Sequence, residues 1–269
     1  MTSTAEGRTL RALTEDQVTR FAVNGFLVVE DLLSPPEVEA LSARADLIAA
    51  GEAEHVSEDR VQLERIYREG EAEVSDRVLS VRKLYRIAVQ DDVMWSHASN
   101  PKIVDVIADL LGTEDIKLYG DQLFMKPPGV GAEQPWHQDS ASWRDIFPMD
   151  LVSAWTAIDE ADRGNGCLEF VPGTQRWGMM QRPMLLGTFR EDLGGERWPA
   201  VAVPLRPGSV SFHHSLTVHR SGANTSGRRR RGYATHYMRA TSWKDDSVTD
   251  APKQPPFRQV RGRSYPGRV

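Results

Sequence analysis

From about residue 115 to about residue 240 the chain is a succession of short β-branched or aromatic runs: "IKLYGDQLFMKPPG", "LVSAWTAID", "CLEFVPG", "AVAVPL", "GSVSFHHSLTVH" and "GYATHYMRA". The turns "PPGVG", "DRGNG" and "RPGS" separate them. Such side chains suit a pleated, half-buried surface, and Gly/Pro clusters end each run. A doubly wound parallel sheet would interleave helices with these strands. Many short strands joined by tight turns instead predict a sandwich or barrel. The expected fold is mainly β with flanking helices: a jelly-roll core with helices packed on one sheet from the N-terminal side.

Those helices are legible from their ends. Thr14-Glu15-Asp16-Gln17 has capping-box form and opens a helix that Asn24-Gly25 closes. "FLVVE" follows as a short strand. Ser34-Pro35-Pro36-Glu37 supplies an N-cap, a proline at the first helical position and a capping glutamate, so a second helix runs to about Ala50. Residues 51–76 are strongly charged and read as a loop or a helical excursion. Asn100-Pro101 opens a third helix. Its Ile103, Val104, Ile107, Leu110 and Leu111 keep a 3.6-residue period, and Gly112 stops it. With no repeat and no low-complexity linker, residues 1–269 are expected to form a single domain, helical over about 14–112 and a jelly roll over about 115–240.

Composition narrows the function. A formal net charge of −5 argues against a nucleic-acid binder, and in the one basic block, Arg228 to Arg231, Arg228, Arg229 and Arg231 read as solvated or ion-paired. The single cysteine, Cys167, sits among apolar residues and reads as a buried, inert thiol; it permits neither an intramolecular disulfide nor a cysteine-based zinc site. The polar start "MTSTAEGRTLRALTED" has no apolar leader core, and no run of about 18 apolar residues occurs, so a cytoplasmic location without membrane partners is expected. The expected partner is a small-molecule substrate, and a monomer and a homodimer both remain open.

Against this background "PWHQDS" raises a chemical question. In His137-x-Asp139 the i, i+2 spacing puts both side chains on one face of an extended segment. Two histidines and one carboxylate on one side of a metal make a mononuclear Fe(II) site with open positions. The third ligand must come from another strand, and "SFHHSLTVHRSG" offers His213, His214 and His219. Strand alternation groups His213 with His219 and sends His214 to the other face. It does not choose between the first two, although a strand end, where His219 lies, better suits an accessible metal.

The segments "QLFMKPPG…PWHQDS", "LVSAWTAIDEADRGNGCLEFVPGT" and "FHHSLTVHRSGANTSGRRRRGYATHYM" resemble the phytanoyl-CoA dioxygenase family of Fe(II)/2-oxoglutarate oxygenases. The resemblance covers roughly residues 80–240 and implies a double-stranded β-helix, a jelly-roll or cupin-like core. It makes His137, Asp139 and His219 the catalytic iron ligands, with 2-oxoglutarate and O2 as co-substrates. The family's arginine eleven residues beyond the distal histidine, which pairs with the far carboxylate of 2-oxoglutarate, falls on Arg230. A guanidinium grips a carboxylate through two parallel hydrogen bonds, which a lysine cannot do. Ser221 matches a position that bonds the same carboxylate, and Gln122, Trp155 and Lys83 match positions lining the cofactor pocket. In the loop 141–150 that follows the metal motif, Trp143 and Phe147 are candidates for a substrate wall. His213 reads as a supporting or core histidine, and His236 as a core histidine.

The activity implied is oxidation of an unactivated C–H in a small organic substrate, with release of succinate and CO2. The outcome is hydroxylation, or radical cyclisation, epimerisation or desaturation. Asp139 argues against halogenation, because halogenating relatives carry a small residue there. No basic patch suits a CoA phosphate tail, so the expected substrate is a bulky secondary metabolite held between residues 141–150, 51–76 and 177–198. A non-redox metal-dependent isomerase, or a catalytically silent binding protein on the same fold, would leave the Arg230–Ser221 clamp without a ligand.

Overall fold

The computed structural model describes residues 9–248 and 257–269; the first eight residues, part of the polar start "MTSTAEGRTLRALTED", lie outside the described residues. In chain order the helices and strands are α1 (Glu15–Asn24), β1 (Phe26–Val29), α2 (Pro35–Ala50), β2 (Val61–Leu63), α3 (Arg65–Arg68), β3 (Val81–Tyr85), α4 (Asp92–Ala98) and α5 (Pro101–Leu111). There follow β4 (Ile116–Lys126), β5 (Gln134–His137), β6 (Ile146–Phe147), β7 (Val152–Ala157), β8 (Leu168–Phe170), α6 (Arg182–Phe189), β9 (Val201–Val203), β10 (Val210–His214), β11 (His219–Ser221), β12 (Arg230–Arg239), β13 (Trp243–Lys244) and β14 (Gln259–Arg261).

Two antiparallel sheets face each other as a double-stranded β-helix. The larger has eight strands in the order β1-β10-β7-β12-β4-β3-β2, with β14 also paired to β4. The smaller runs β5-β11-β8-β9, and β13-β6 form a separate pair. Alternation explains the layers. On β7, Val152 and Ala154 join the core under the helices, whereas Trp155 and Ala157 face the second sheet. On β12, Tyr233 and Tyr237 go one way and Ala234 the other. Ile103, Val104, Ile107 and Leu111 of α5 fill the helix-facing core, as their spacing predicts. The expected caps are present: Thr14 and Gln17 bond reciprocally, and Gly25, Gly51 and Gly112 end their helices at positive φ.

Three sequence readings change. Residues 51–76 contain β2, which pairs with β3 at the edge of the larger sheet, and the single turn α3. Three residues among charges carry no readable period. β3 and α4, between residues 77 and 99, were equally silent in the pattern. "GSVSFHHSLTVH" is two strands: β10 belongs to the larger sheet and β11 to the smaller, with a turn between. Alternation therefore cannot be carried from His213 to His219, and their convergence comes from the facing of the two sheets.

Candidate metal centre

β5 and β11 are neighbours, with His137 directly opposite His219 and their ring centroids 4.1 Å apart. Asp139 begins the 3-10 turn Asp139–Ala141 just after β5. Each imidazole is oriented by its own backbone. His137 Nδ1 donates to the Pro135 carbonyl and His219 Nδ1 to the Thr217 carbonyl, both at 2.9 Å. A carbonyl only accepts, so the hydrogen sits on Nδ1 and Nε2 is left with a free lone pair. Both Nε2 atoms turn towards Asp139 Oδ1, at 3.7 and 3.8 Å, and one donor from each of the three residues lies within 4.8 Å of the others. Burial, reinforced by His137, holds the His219 pKa well below the imidazole range, so the ring is neutral. Burial opposes the charge of Asp139, but the hydrogen bond from His213 helps outweigh it and keep the carboxyl well below its usual range. Two neutral nitrogens and one carboxylate oxygen, already convergent, fit a divalent iron.

The other oxygen of Asp139 is held from the larger sheet. Ser153 Oγ lies 3.0 Å and His213 Nε2 3.2 Å from Oδ2, and His236 Nδ1 lies 2.7 Å from Ser153 Oγ. His213 thus stands behind the carboxylate while His219 stands beside it. His214 points away and accepts from the Leu216 amide.

The three residues open into a cavity of about 240 Å³ lined also by Lys83, Gln122, Trp143, Trp155, Ser221 and Arg230. Arg230 is 1% exposed; its Nη2 donates to the Gly166 carbonyl, while Nε and Nη1 have no partner among the described residues. Burial draws its pKa down to about 10, so it is still a cation at neutral pH. A buried guanidinium with free N–H groups is costly unless an anion meets it. Among the described residues Asp139 is the only carboxylate lining this cavity, against Arg82, Lys83 and Arg230; Arg220, at its edge, is paired with Glu169. Burial, then Arg82, lowers the Lys83 pKa, and its ammonium donates to Gln122 Oε1 at 3.2 Å. This lining suits a small dianion such as 2-oxoglutarate. Trp155 lies under the Arg230 guanidinium, 5.3 Å from its ring centroid, and leaves no room for a Cβ at Gly232: one would fall 1.8 Å from the indole.

Other expectations are altered. Phe147 does not line the cavity; it stacks on Trp243 at 4.9 Å, because the short pair β6–β13 turns it away. No residue of 51–76 or 177–198 lines it either. Trp136, Glu169 and Arg220 alternate along their strands with inward-facing residues, and segment 177–200 covers that outer face, enclosing a second cavity of about 670 Å³. The basic run is ion-paired: Arg228 with Glu160 and Asp162, Arg229 with Asp46, Arg231 with Asp159 and Asp46. Cys167 is buried as expected, and burial raises its pKa. Ser153 and His236 escaped the sequence reading as site residues, although alternation carries the signal: Ser153 shares a face with Trp155, and His236 with Arg230. Arg82 lies in the short strand β3, next to Lys83, where no motif marked it. Among the described residues no helix is long and apolar enough to cross a membrane.

Known proteins resemble this arrangement. A probable phytanoyl-CoA dioxygenase of Caenorhabditis elegans is 28% identical over 247 residues, which cover 87% of this chain and 77% of that one. The structure of EctD from S. alaskensis with 2-oxoglutarate and 5-hydroxyectoine matches at a TM-score of 0.76 and 25% identity, over 98% of this chain and 90% of that one. The epimerase SnoN, in complex with Fe3+, α-ketoglutarate and nogalamycin RO, shares the fold at a TM-score of 0.71 and 23% identity, over 94% and 96%. The phytanoyl-CoA dioxygenase (PhyH) family model matches residues 21–232, and the chain belongs to that family of non-haem Fe(II)- and 2-oxoglutarate-dependent oxygenases.

Proposed function

We propose that the chain acts as a single oxygenase domain in which His137, Asp139 and His219 hold Fe(II), Arg230 and Ser221 grip the far carboxylate of 2-oxoglutarate, and a small organic molecule is oxidised at a C–H bond. Iron with 2-oxoglutarate and O2 supplies the oxidising power, with succinate and CO2 as co-products. The protein's own residues do the rest. The Pro135 and Thr217 carbonyls keep both imidazoles turned inward. Ser153 and His213 fix Asp139 so that Oδ1 faces the two imidazoles. Gln122, Lys83 and Trp155 line the cavity with Arg230, and Trp143 lines it beside His236.

The observation that carries this reading is Arg230, a buried cation with unpartnered N–H groups in the cavity that also holds the His-Asp-His cluster. A non-redox isomerase or a silent binding protein would have no use for it. For the substrate we favour a secondary metabolite. EctD was captured with a hydroxylated compound and SnoN is an epimerase, so this fold serves more than one outcome.

Anaerobic titration with Fe(II) and then 2-oxoglutarate tests the assignment. A saturable visible charge-transfer band, absent from His137→Ala, is expected. Iron binding without a band would reject the 2-oxoglutarate assignment, and no iron binding would reject the metal site.

A further inference from the structure

Counting hydrogens around Asp139 determines what His236 can offer. A carboxylate only accepts, so Ser153 Oγ, at 3.0 Å, gives its single hydrogen to Asp139 Oδ2. It has none left for His236, whose Nδ1 lies 2.7 Å away on the neighbouring strand. That contact therefore needs its hydrogen on Nδ1. The opposite assignment would set two oxygen lone pairs against each other at the Ser153–Asp139 contact. In the neutral ring Nε2 is then a bare acceptor, and burial keeps the ring neutral.

That acceptor is buried and has no partner among the described residues. The residue is 4% exposed and lines the cavity with the three metal ligands, without belonging to their cluster. Trp143 packs on its ring, with centroids 4.5 Å apart. Ionised 2-oxoglutarate offers only acceptors, so the co-substrate cannot satisfy Nε2. A buried acceptor left bare is costly, and a donor supplied by a ligand removes the cost.

Resting on the function proposed above, we infer that His236 is a substrate-positioning residue whose Nε2 accepts a hydrogen bond from an O–H or N–H group of the substrate. The substrate class is thereby narrowed to alcohols, phenols, amines and amides, held against Trp143 by that bond. Asp139 and Ser153 set the tautomer, so the group that orients the metal carboxylate also fixes how the substrate is read.

The test uses the full chain loaded with Zn(II) and 2-oxoglutarate, labelled with 15N-histidine, and two probes of like shape, phenol and anisole. The expected spectrum shows His236 with a protonated Nδ1 and a bare Nε2. Phenol should move the Nε2 resonance saturably, and anisole should not. His236→Asn keeps a donor for Ser153 and removes the acceptor, so phenol affinity should fall about tenfold, the loss of one hydrogen bond. His236→Gln places an amide oxygen near the position of Nε2 and should restore most of it. A merely structural role would leave all three proteins with the same phenol-to-anisole preference. A protonated Nε2, equal responses to the two probes, or no saturable response to phenol (an acceptor that serves water only) would each overturn the inference. The Fe(II)/2-oxoglutarate band should survive in His236→Asn; its absence from the wild-type protein would reject the proposed function, while the tautomer is read independently.

Discussion

The larger sheet is long-stranded and backed by helices, while the smaller one is built from strands of three or four residues and backed largely by the segment 177–200. Each gives the site what its construction allows. From the larger come Lys83, Gln122, Trp155 and Arg230 for the co-substrate, and Ser153, His213 and His236 behind Asp139. From the smaller come His137, His219 and Ser221. Short strands place a side chain loosely unless something local holds it, and here each imidazole is tied to the carbonyl two residues before it. Long, doubly buried strands hold Arg230 and Trp155 mainly by packing, with one hydrogen bond from Arg230 to the Gly166 carbonyl. Precision in the two halves therefore has different sources, and damage to each should have different symptoms.

The largest expected effect lies far from the chemistry. Ile107 of α5 is fully buried against the larger sheet. Ile107→Ala should cost about 2–5 kcal/mol of stability through lost contacts and a residual cavity, read from the midpoint of urea unfolding. Fe(II) and 2-oxoglutarate affinities of the folded variant should stay within about twofold of the wild type, a change of less than about 0.5 kcal/mol, since α5 packs with Val152, Ala154, Tyr233 and Tyr237, on the face of β7 and β12 turned away from the cavity. A matching loss of metal affinity would show that the halves are not separable.

Arg230→Met comes next and reverses the symptoms. It keeps the volume of a buried side chain and removes its charge. Affinity for 2-oxoglutarate should fall about 10- to 100-fold, the worth of a charge-assisted pair, with Fe(II) binding retained. Without 2-oxoglutarate the variant should be as stable as the wild type or more so, because a buried cation lacking an anion is a burden. Calorimetry with and without 2-oxoglutarate separates the two effects, and a large loss of stability in the absence of 2-oxoglutarate would mean that Arg230 is mainly structural.

The same division explains what could be read in advance. Helix ends and runs such as "LVSAWTAID" are local signals, written in caps, periods and turns, and α1, α2, α5 and β7 follow them. The ordered motifs located His137, Asp139, His219 and Arg230, which the structure brings together in one cavity. What stayed hidden depends on contacts between distant strands. β2 is too short to show a period and exists because β3 offers it an edge. Phe147 looked like a substrate wall from its loop position, yet Trp243, nearly a hundred residues later, claims it. Ser153 and His236 are joined to each other and to Asp139 in a triplet assembled by three strands or turns of separate origin.

The smallest effect tests whether the helical layer is only support. Glu37 caps α2 by accepting from the Ser34 amide at 2.7 Å, and it reaches α5 by accepting from Asn100 Nδ2 at 2.9 Å and Lys102 Nζ at 2.7 Å. The hydrogen bond from Lys102 and then that from the Ser34 hydroxyl, at 2.6 Å, pull its pKa down to about 2, below the 4.5 of a free glutamate. A carboxyl whose pKa is depressed by folding stabilises the native state above the unfolded value, and that gain fades as pH falls towards the folded one. The wild type should exceed Glu37→Gln by about 1 kcal/mol at pH 7, modest because the pair is partly solvated. The margin should hold down to about pH 5 and shrink steadily from pH 4.5 towards pH 2, as melting temperatures across that range would show. Gln cannot accept equally from both helices, so α2 and α5 should loosen relative to each other while the strands under them stay paired. The 2-oxoglutarate affinity at pH 7 should not change. If it did, the helices would be setting the position of Lys83 or Arg230 through the sheet, and the larger sheet would be a transmitter as well as a scaffold.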